Sequence, residues 1–244
     1  MVDRATNDIS SEVRLSSELR LPEAELDIAS LDAAEIVRGV REPASKRAVD
    51  LAISSLMLVT FAPVFGAIAL AIKAQDGGSI LFRQKRWGRH REQVTVLKFR
   101  SMFVDADVAT GLRAATEGDE RVTSLGGFLR ATGLDELPQL INIWKGDMSF
   151  VGPRALAVDE PVVLDSGRVT TYERLPGFDE RLWVRPGLTS PSTIYLPKDA
   201  AARMKFCHDL DYIANLSVRN DFKLIALSVW ISVRGKWETR QSKL

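Results

Sequence analysis

An uncharged apolar run of 22 residues, Leu51–Ile72, is interrupted near its middle by Pro63 and limits how the whole chain can fold. A straight helix of this length would extend roughly 33 Å at about 1.5 Å per residue, enough to cross the hydrocarbon core of a bilayer. A proline inside a helix removes one backbone hydrogen bond and clashes with the preceding turn, so we expect a kink at Ala62 and Pro63. The run therefore predicts a broken apolar helix.

Basic residues flank the apolar run on both sides. They are Lys46 and Arg47 before it, and Lys73, Arg83, Lys85 and Arg86 after it. Positive flanks of membrane segments prefer the cytoplasm, which favours a re-entrant helix-break-helix with both ends on that side. Ser54, Ser55 and Thr60 could bond to the carbonyl groups freed at the break. A simple membrane span and a buried helix of a soluble protein are the alternatives.

Charge is unevenly distributed, although the chain as a whole is nearly neutral. Lys and Arg number 33 against 32 Asp and Glu, a net charge of +1, which predicts no nucleic-acid partner. Residues 1–45 carry ten acids and five bases (−5), whereas residues 46–100 carry ten bases and three acids (+7). Juxtamembrane bases are attracted to anionic lipids by roughly 1 kcal/mol each, so residues 46–100 predict contact with anionic membrane lipids. A solvated basic loop is the alternative.

The single cysteine and the residues before the apolar run both indicate the cellular compartment. Cys207 is the only cysteine, so the chain can form no internal disulfide and needs no oxidising compartment. The 45 mostly polar residues before the apolar run are too long and too acidic for an ordinary secretory signal peptide. We therefore expect the apolar run in the mature protein and the polar parts in the cytosol.

Short periodic patterns predict the elements that follow the apolar run. Ile80–Gln84 and Val94–Phe99 are β-prone and basic, and they predict a hairpin. Helical apolar spacing follows in Val122–Arg130 and again in Asp135–Trp144. Asp135 is the expected N-cap of the second of these helices.

Asp135 and Glu136 are adjacent carboxylates at this predicted helix start. The unpaired N–H groups and partial positive charge of a helix N-terminus favour an ionised carboxylate, which can act as a nucleophile or ligate a metal. Adjacent residues on a helix point about 100° apart, so the two acids need not share one role. A capping Asp135 and a solvent-facing Glu136 are the alternative for an isolated pair of acids.

Basic residues elsewhere give this pair of acids a chemical context. Arg154 follows Gly152 and Pro153, a rigid turn that would hold a guanidinium for bidentate phosphate binding. Lys98 and Arg100 add positive charge at the end of the predicted hairpin. A diphosphate substrate needs its charge neutralised, and Mg²⁺ does this with one or two protein carboxylates. The sequence has no zinc-type His and Cys cluster, no P-loop and no dinucleotide-binding glycine motif.

Several short motifs, in order, resemble those of the bacterial sugar transferases, the small monotopic polyprenyl-phosphate glycosylphosphotransferases. They are Lys46–Asp50, Phe82–Arg89, Lys98–Met102, Leu134–Leu140, Lys145–Ser149, Val151–Arg154 and Arg185–Thr189. The resemblance implies transfer of a sugar 1-phosphate from a UDP-sugar to undecaprenyl phosphate, with Mg²⁺, releasing UMP and leaving a lipid diphosphate-linked sugar. Such a reaction begins cell-envelope glycan or exopolysaccharide synthesis at the inner membrane, with the catalytic domain facing the cytoplasm.

The resemblance also implies residue roles. Asp135 would be the nucleophile that forms a covalent sugar-phosphate intermediate, and Glu136 would assist at the metal site or in proton transfer, so that both acids lie near Mg²⁺. With Arg100 added from the charge argument, the residues expected to bind phosphate or nucleotide are Arg154, Lys98, Arg100 and Arg185. A catalytically silent scaffold that binds lipid or nucleotide-sugar within a glycan assembly complex is the alternative function, and a homo-oligomer stays open.

Two segments depart from the family pattern. Ala155-Leu156 follows Arg154 where the family usually has Pro and Glu, which removes one conformational restraint and one acid from the phosphate site. Ser190–Tyr195 replaces a Gly followed by an aromatic-Gln stretch, so unusual sugar recognition is expected.

These observations divide the chain into four parts. Residues 1–45 form a polar extension expected to be loosely ordered, and residues 46–74 form the membrane-seated helix-break-helix. Residues 75–220 form a cytosolic catalytic domain, and residues 221–244 form a last helix and tail that either lies along the headgroups or packs on the core. The predicted fold class is α+β, mostly α with a small antiparallel β-hairpin, in a monotopic membrane protein.

Overall fold

A computed structural model of the chain describes residues 33–104, 119–164, 167, 169–197 and 200–234. The helices in these ranges are α1 (Ala33–Val37), α2 (Ala44–Thr60), α3 (Ala62–Asp76), α4 (Ser124–Thr132), α5 (Gln139–Lys145), α6 (Phe178–Arg181), α7 (Pro191–Tyr195), α8 (Ala202–Ala214) and α9 (Val218–Val233). The strands are β1 (Leu81–Trp87), β2 (Gln93–Phe99), β3 (Ser149–Val151), β4 (Pro161–Val163), β5 (Val169–Thr171) and β6 (Gly187–Thr189). The predicted α+β class, mostly α, is confirmed.

The strands form small two-stranded sheets. β1 pairs with β2 and β4 with β5, both antiparallel, whereas β3 and β6 pair in parallel. The buried apolar cluster at the centre includes Leu140, Ile143, Val151 and Ile213. This core lies between α5, β3, α8 and α9, and α2 packs against it from outside.

The apolar run folds as a bent pair of helices. α2 and α3 meet at Phe61 with an angle of 60° between them. Pro63 lies in the first turn of α3, where a missing N–H costs no helix hydrogen bond. No individual helix in the described ranges has the length and apolar character of a membrane span, and the bent pair meets that test only as a unit, by length and composition. The structure therefore confirms the predicted break in the apolar helix as a bend between two helices.

The hairpin is longer than predicted. Its strands pair from Leu81 opposite Phe99 to Trp87 opposite Gln93, so β1 continues three residues beyond Gln84. The added part begins with two charged residues, Lys85 and Arg86, which is why the sequence concealed it.

Asp135 does not cap a helix, so that prediction is wrong. Gly133, with a φ of 73°, ends α4, and residues Leu134–Glu136 form a single 3₁₀ turn. α5 begins only after Pro138, which occupies its N-cap position. The proline ring has no N–H to donate to the turn before it, so one helix over Asp135–Trp144 is replaced by a turn and a shorter helix.

Two basic residues counted as membrane flanks are internal contacts instead. The Lys46 Nζ is buried and donates to the carbonyl oxygen of Val151 at 2.8 Å and to Asp221 Oδ2 at 2.7 Å. Arg47 donates to the carbonyl oxygens of Ile143 and Trp144, at the C-terminal end of α5. Cations at a helix C-terminus complement its partial negative charge. Lys46 therefore joins α2 to the body of the protein.

The first and last described helices both pack against the rest of the protein. Residues 1–32 of the predicted loose extension lie outside the described residues, but Val37 in α1 is fully buried and α1 packs on α8. At the other end α9 buries Leu224 and Ile231, while Val229 and Val233 are exposed on its remaining surface. One face of α9 therefore packs on the core and the other is apolar and open.

We predict that Lys46→Met lowers stability, because it leaves the Asp221 carboxylate buried without its cation. Breaking a buried ion pair costs about 3–5 kcal/mol, which corresponds to on the order of 10 °C in melting temperature for a chain of this size. The double variant Lys46→Met with Asp221→Leu is expected to recover most of this loss. Thermal unfolding in detergent micelles measures both, and equal losses in the single and double variants would contradict the prediction.

Candidate active site

The candidate site is a small open cleft. It is lined by Arg86, Lys98, Glu136, Gln139, Arg154, Ala155, Gly187, Leu188, Ser190 and Thr193. These residues come from the hairpin, the 3₁₀ turn, the start of α5, the segment after β3, and the β6–α7 connection. Lys98, Glu136 and Arg154, which the sequence singled out separately, therefore converge on one cleft.

Strand geometry explains why the hairpin contributes Arg86 and Lys98 together. Lys98 is paired with Phe82, and Arg86 lies four residues further along β1. Side chains two or four residues apart on a strand point to the same face, and directly paired residues share a face. Both cations therefore leave the hairpin on the side that faces the protein.

Glu136 is the carboxylate of the cleft wall. It forms an ion pair with the Lys98 ammonium. Burial raises the pKa of the Glu136 carboxyl, but Lys98, followed by Arg154 and Arg86, outweighs burial and holds that pKa below its ordinary value. Glu136 is therefore ionised at neutral pH.

Arg86 is held by neutral oxygens. Its Nη1 donates to the carbonyl oxygen of Ala155 at 2.5 Å, and its Nε and Nη2 donate to Gln84 Oε1 at 3.1 Å and 2.8 Å. Burial, and after it repulsion from Arg154, lowers the pKa of the Arg86 guanidinium to about 10. Arg86 nevertheless stays charged at neutral pH, so the lining residues that the structure describes provide three cations and one carboxylate.

The backbone at Arg154 is fixed from two sides. A Cβ on Gly152 would lie 2.3 Å from the carbonyl oxygen of Arg185, so the close approach of these two segments requires glycine. The carbonyl oxygen of Arg154 accepts a hydrogen bond from Arg181 Nη2 at 3.0 Å, and Arg181 forms a buried ion pair with Asp209. This support comes from α6 and α8 and had no visible signal in the sequence.

Two of the predicted phosphate-binding residues lie elsewhere. Arg100 forms an ion pair with Asp76 at the end of α3. Arg185 donates to Glu42 Oε2 from Nε at 3.0 Å and forms a 2.9 Å ion pair with it through Nη2. Neither guanidinium lines the cleft, because a carboxylate outside it holds each one.

Asp135 is buried and directly precedes Glu136, but it does not line the cleft. The described residues contain no cluster of three or more His, Cys, Asp or Glu side chains that could hold a metal ion. Mg²⁺ at a phosphate site needs fewer protein ligands, typically one or two carboxylates with phosphate oxygens and water. Glu136 lines the cleft and contacts Lys98 through Oε1, so its carboxylate is the one that would provide such a ligand there.

The departures after Arg154 have a structural explanation. The interaction between Ala155 and Arg86 uses the Ala155 backbone carbonyl, which any residue would supply. Leu156 is buried in an apolar cluster with Phe178, Leu182 and Phe206, where a glutamate would place a charge among apolar side chains. In the other departing segment, Ser190 Oγ lies 2.6 Å from Thr193 Oγ1, and both residues line the cleft.

Sequence reasoning missed Arg86 and Gln139 as contributors to the lining of the cleft, and it singled out Ser190 and Thr193 only as part of the segment Ser190–Tyr195 that departs from the family pattern. For Arg86 a signal was present, since it lies an even number of residues from the other inward-facing positions of β1. The rest reach the cleft only through the tertiary arrangement of α5 and α7.

The profile of the bacterial sugar transferase family matches residues 41–235. The chain therefore belongs to that family, as its motifs predicted. Relatives are named as sugar-1-phosphate transferases acting on undecaprenyl phosphate, which confirms the predicted enzyme class, the polyprenyl-phosphate sugar-1-phosphate transferases.

Three relatives illustrate the extent of the similarity. An exopolysaccharide production protein of Rhizobium leguminosarum bv. phaseoli is 36% identical over 185 residues, covering 74% of this chain and 90% of the relative. UDP-glucose:undecaprenyl-phosphate glucose-1-phosphate transferases of Escherichia coli and Caulobacter vibrioides are 39% and 35% identical. These alignments cover 76% and 75% of this chain, but 39% and 68% of the respective relatives. The chain thus spans well under half of the E. coli protein.

We predict that Glu136→Gln changes stability in a pH-dependent way. The pKa of Glu136 in the fold is below its unfolded value of 4.5, so the ionised carboxylate stabilises the fold above pH 4.5. That contribution is lost as the pH falls through the folded pKa. The melting temperatures of wild type and Glu136→Gln, measured from pH 7 to pH 3.5, should therefore converge on acidification.

The control is the same pair of proteins carrying Lys98→Met, which removes the main cation that lowers this pKa. In that background the convergence should shift to higher pH. A difference in melting temperature that does not change with pH in either background would contradict the electrostatic account.

Proposed function

We propose that this protein transfers a sugar 1-phosphate from a UDP-sugar to undecaprenyl phosphate, releasing UMP and forming undecaprenyl-diphosphate-sugar. The observation that carries the proposal is the cleft in which Lys98, Arg86 and Arg154 surround the Glu136 carboxylate. Such an excess of positive charge suits a bound diphosphate, whose charge must be neutralised during transfer. The reaction named for the E. coli and Caulobacter relatives supports this choice of substrates.

In the proposed first step, a carboxylate oxygen of Asp135 attacks the phosphorus that bears the sugar. An oxygen–phosphorus bond forms to Asp135, and the bond from that phosphorus to the bridging oxygen breaks, so that UMP leaves with both electrons. In the second step, an oxygen of undecaprenyl phosphate attacks the same phosphorus and the Asp135 carboxylate is released. A covalent intermediate of this kind allows one cleft to serve both substrates in turn.

The residues that line the cleft next to Asp135 and Glu136 have complementary roles in this proposal. Arg154, whose backbone is fixed by Arg181, is placed to bind a phosphate oxygen with its guanidinium. Lys98 keeps Glu136 ionised and offers a second cation to the same phosphates. The neighbouring Ser190 and Thr193 hydroxyls are suited to hydrogen bonding with the sugar.

Magnesium belongs to the proposal as the cofactor. Asp135 and Glu136 would hold it, with phosphate oxygens and water as the remaining ligands. Bound there, Mg²⁺ would neutralise charge on the diphosphate as the nucleotide leaves.

The proposed location is the cytoplasmic face of the inner membrane, with α2 and α3 seated in the bilayer as a re-entrant pair. The support is the exposed apolar surface of these helices, where Leu56 is 67% exposed, Val59 is 76% exposed and Leu70 is 73% exposed. Exposed apolar side chains of this size are costly in water and favourable in lipid. The open face of α9, which carries Val229 and Trp230, would lie along the lipid headgroups.

Asp135→Asn is expected to abolish UMP release from a panel of UDP-sugars in the presence of undecaprenyl phosphate and Mg²⁺, because the amide cannot form the intermediate. Asp179→Asn is a matched control, since Asp179 is exposed and pairs with Arg91 on the surface. A radiolabelled sugar phosphate should be recovered on the peptide that contains Asp135. Label on any other peptide would reject the assigned nucleophile, and an inert wild type across the panel would favour the silent scaffold.

The re-entrant topology predicts that both ends of the chain lie in the cytoplasm. Cysteines introduced by Asp3→Cys and Ser242→Cys should resist a membrane-impermeant maleimide in intact spheroplasts and react after permeabilisation. Cys207 is 2% exposed and gives little background. Reaction of only one of the two positions in intact spheroplasts would establish a simple span instead.

A further inference from the structure

Arg86 lies in the cleft without a carboxylate hydrogen-bond partner among the residues that the structure describes. Its bonds go to the amide oxygen of Gln84 and the carbonyl oxygen of Ala155. By contrast, carboxylates pair with Arg100, Arg181 and Arg185. The guanidinium of Arg86 is thus held in place, but no described carboxylate neutralises its charge by direct contact.

This arrangement is electrostatically unfavourable in the absence of an anion. Burial, and then the neighbouring Arg154 charge, lowers the pKa of Arg86, and the Glu160 and Glu136 carboxylates offset this effect only in part. Two guanidinium groups that repel one another across a cleft are stabilised when an anion lies between them. Among the described residues, Glu136 is the one carboxylate that lines this cleft, and it is already paired with Lys98.

Arg86 also keeps donors available. A guanidinium has five N–H groups, and the contacts with Gln84 and Ala155 use three of them, on Nε, Nη1 and Nη2. Two N–H groups, one on each terminal nitrogen, remain for another acceptor. A phosphate group has the charge and the oxygen atoms to accept both.

We infer that Arg86 binds the diphosphate of the nucleotide donor, and that Gln84 is a positioning residue that orients Arg86 without neutralising it. The identity of the anion rests on the proposed function. Glutamine suits this position because its amide oxygen accepts the same hydrogen bonds as a carboxylate but carries no charge. Two residues apart on β1, Gln84 and Arg86 share the inward face of the hairpin, so strand geometry alone brings them together.

Gln84→Glu tests the inference because it should move stability and binding in opposite directions. The introduced carboxylate keeps the acceptor geometry and adds an ion pair with Arg86, so the melting temperature should stay the same or rise. The same ion pair neutralises Arg86, so the affinity for UDP with Mg²⁺ should fall about tenfold or more, and KM for UDP-glucose should rise more than kcat falls. Unchanged affinity and KM in a folded Gln84→Glu protein would reduce Gln84 to a structural contact and overturn the inference.

A second variant covers the case in which Gln84→Glu does not fold. Arg86→Gln removes the charge directly and is expected to weaken UDP binding about tenfold to hundredfold. Lys85→Gln is the matched control, because Lys85 is adjacent but exposed on the outer face of β1. Equal UDP affinity in wild type, Arg86→Gln and Lys85→Gln would overturn the inference.

Calorimetric titration of UDP into the full chain separates this inference from the proposed function. A wild type that binds UDP through Arg86 but releases no UMP from any UDP-sugar would uphold the anion site and reject the transferase activity. A wild type that releases UMP with the same KM in Gln84→Glu and Arg86→Gln would uphold the activity and reject the site.

Discussion

The buried ammonium of Lys46 is the contact on which the arrangement of the protein depends. It joins three elements at once, since it extends from α2 to the backbone of β3 and to Asp221 at the start of α9. Asp221 also accepts the hydroxyl hydrogen bond of Tyr212 at 2.6 Å, which brings in α8. A buried charge is tolerated only with such partners, so the apolar α2 cannot dock in another register without leaving a charge unpaired. β3 leads directly into the turn that carries Arg154, and the position of the cleft follows from this contact.

Charges are balanced in ion pairs outside the cleft but not inside it. Away from the cleft, Arg181 is matched to Asp209 and Arg185 to Glu42. Inside the cleft the cations outnumber the carboxylates, and Glu136 is kept ionised by its neighbours. Matched pairs hold the backbone rigid, whereas the unmatched group provides attraction for a ligand. This division explains why the basic residues of the sequence, alike in composition, have different functions.

The sequence predicted structural features that depend on neighbouring residues. It did not predict contacts that depend on a partner far along the chain. The bend at Phe61 follows from Pro63, and the convergence of Lys98, Glu136 and Arg154 followed from motif resemblance. Lys46 and Arg47 were interpreted as membrane flanks because nothing near them in the sequence reveals Asp221 or the end of α5. The partners of Arg100 and Arg185 were hidden for the same reason, since these carboxylates are 24 and 143 residues away. The departure at Leu156 became intelligible only with the apolar cluster around it.

Contacts with the rest of the protein hold the bent helix pair at both of its ends. α2 is held at its start by Lys46, and α3 is held at its end, where Asp76 pairs with Arg100 next to the hairpin strand that carries Lys98. Because both helices are attached to the same folded body, they act as two arms whose lengths fix the distance from that body to Phe61, where the helices meet. In the proposed membrane-seated state, arm length therefore sets how far above the hydrocarbon the phosphate chemistry takes place. One helical turn corresponds to about 5.4 Å along the helix axis, so inserting or deleting turns in both arms would raise or lower the reacting groups relative to the lipid headgroups.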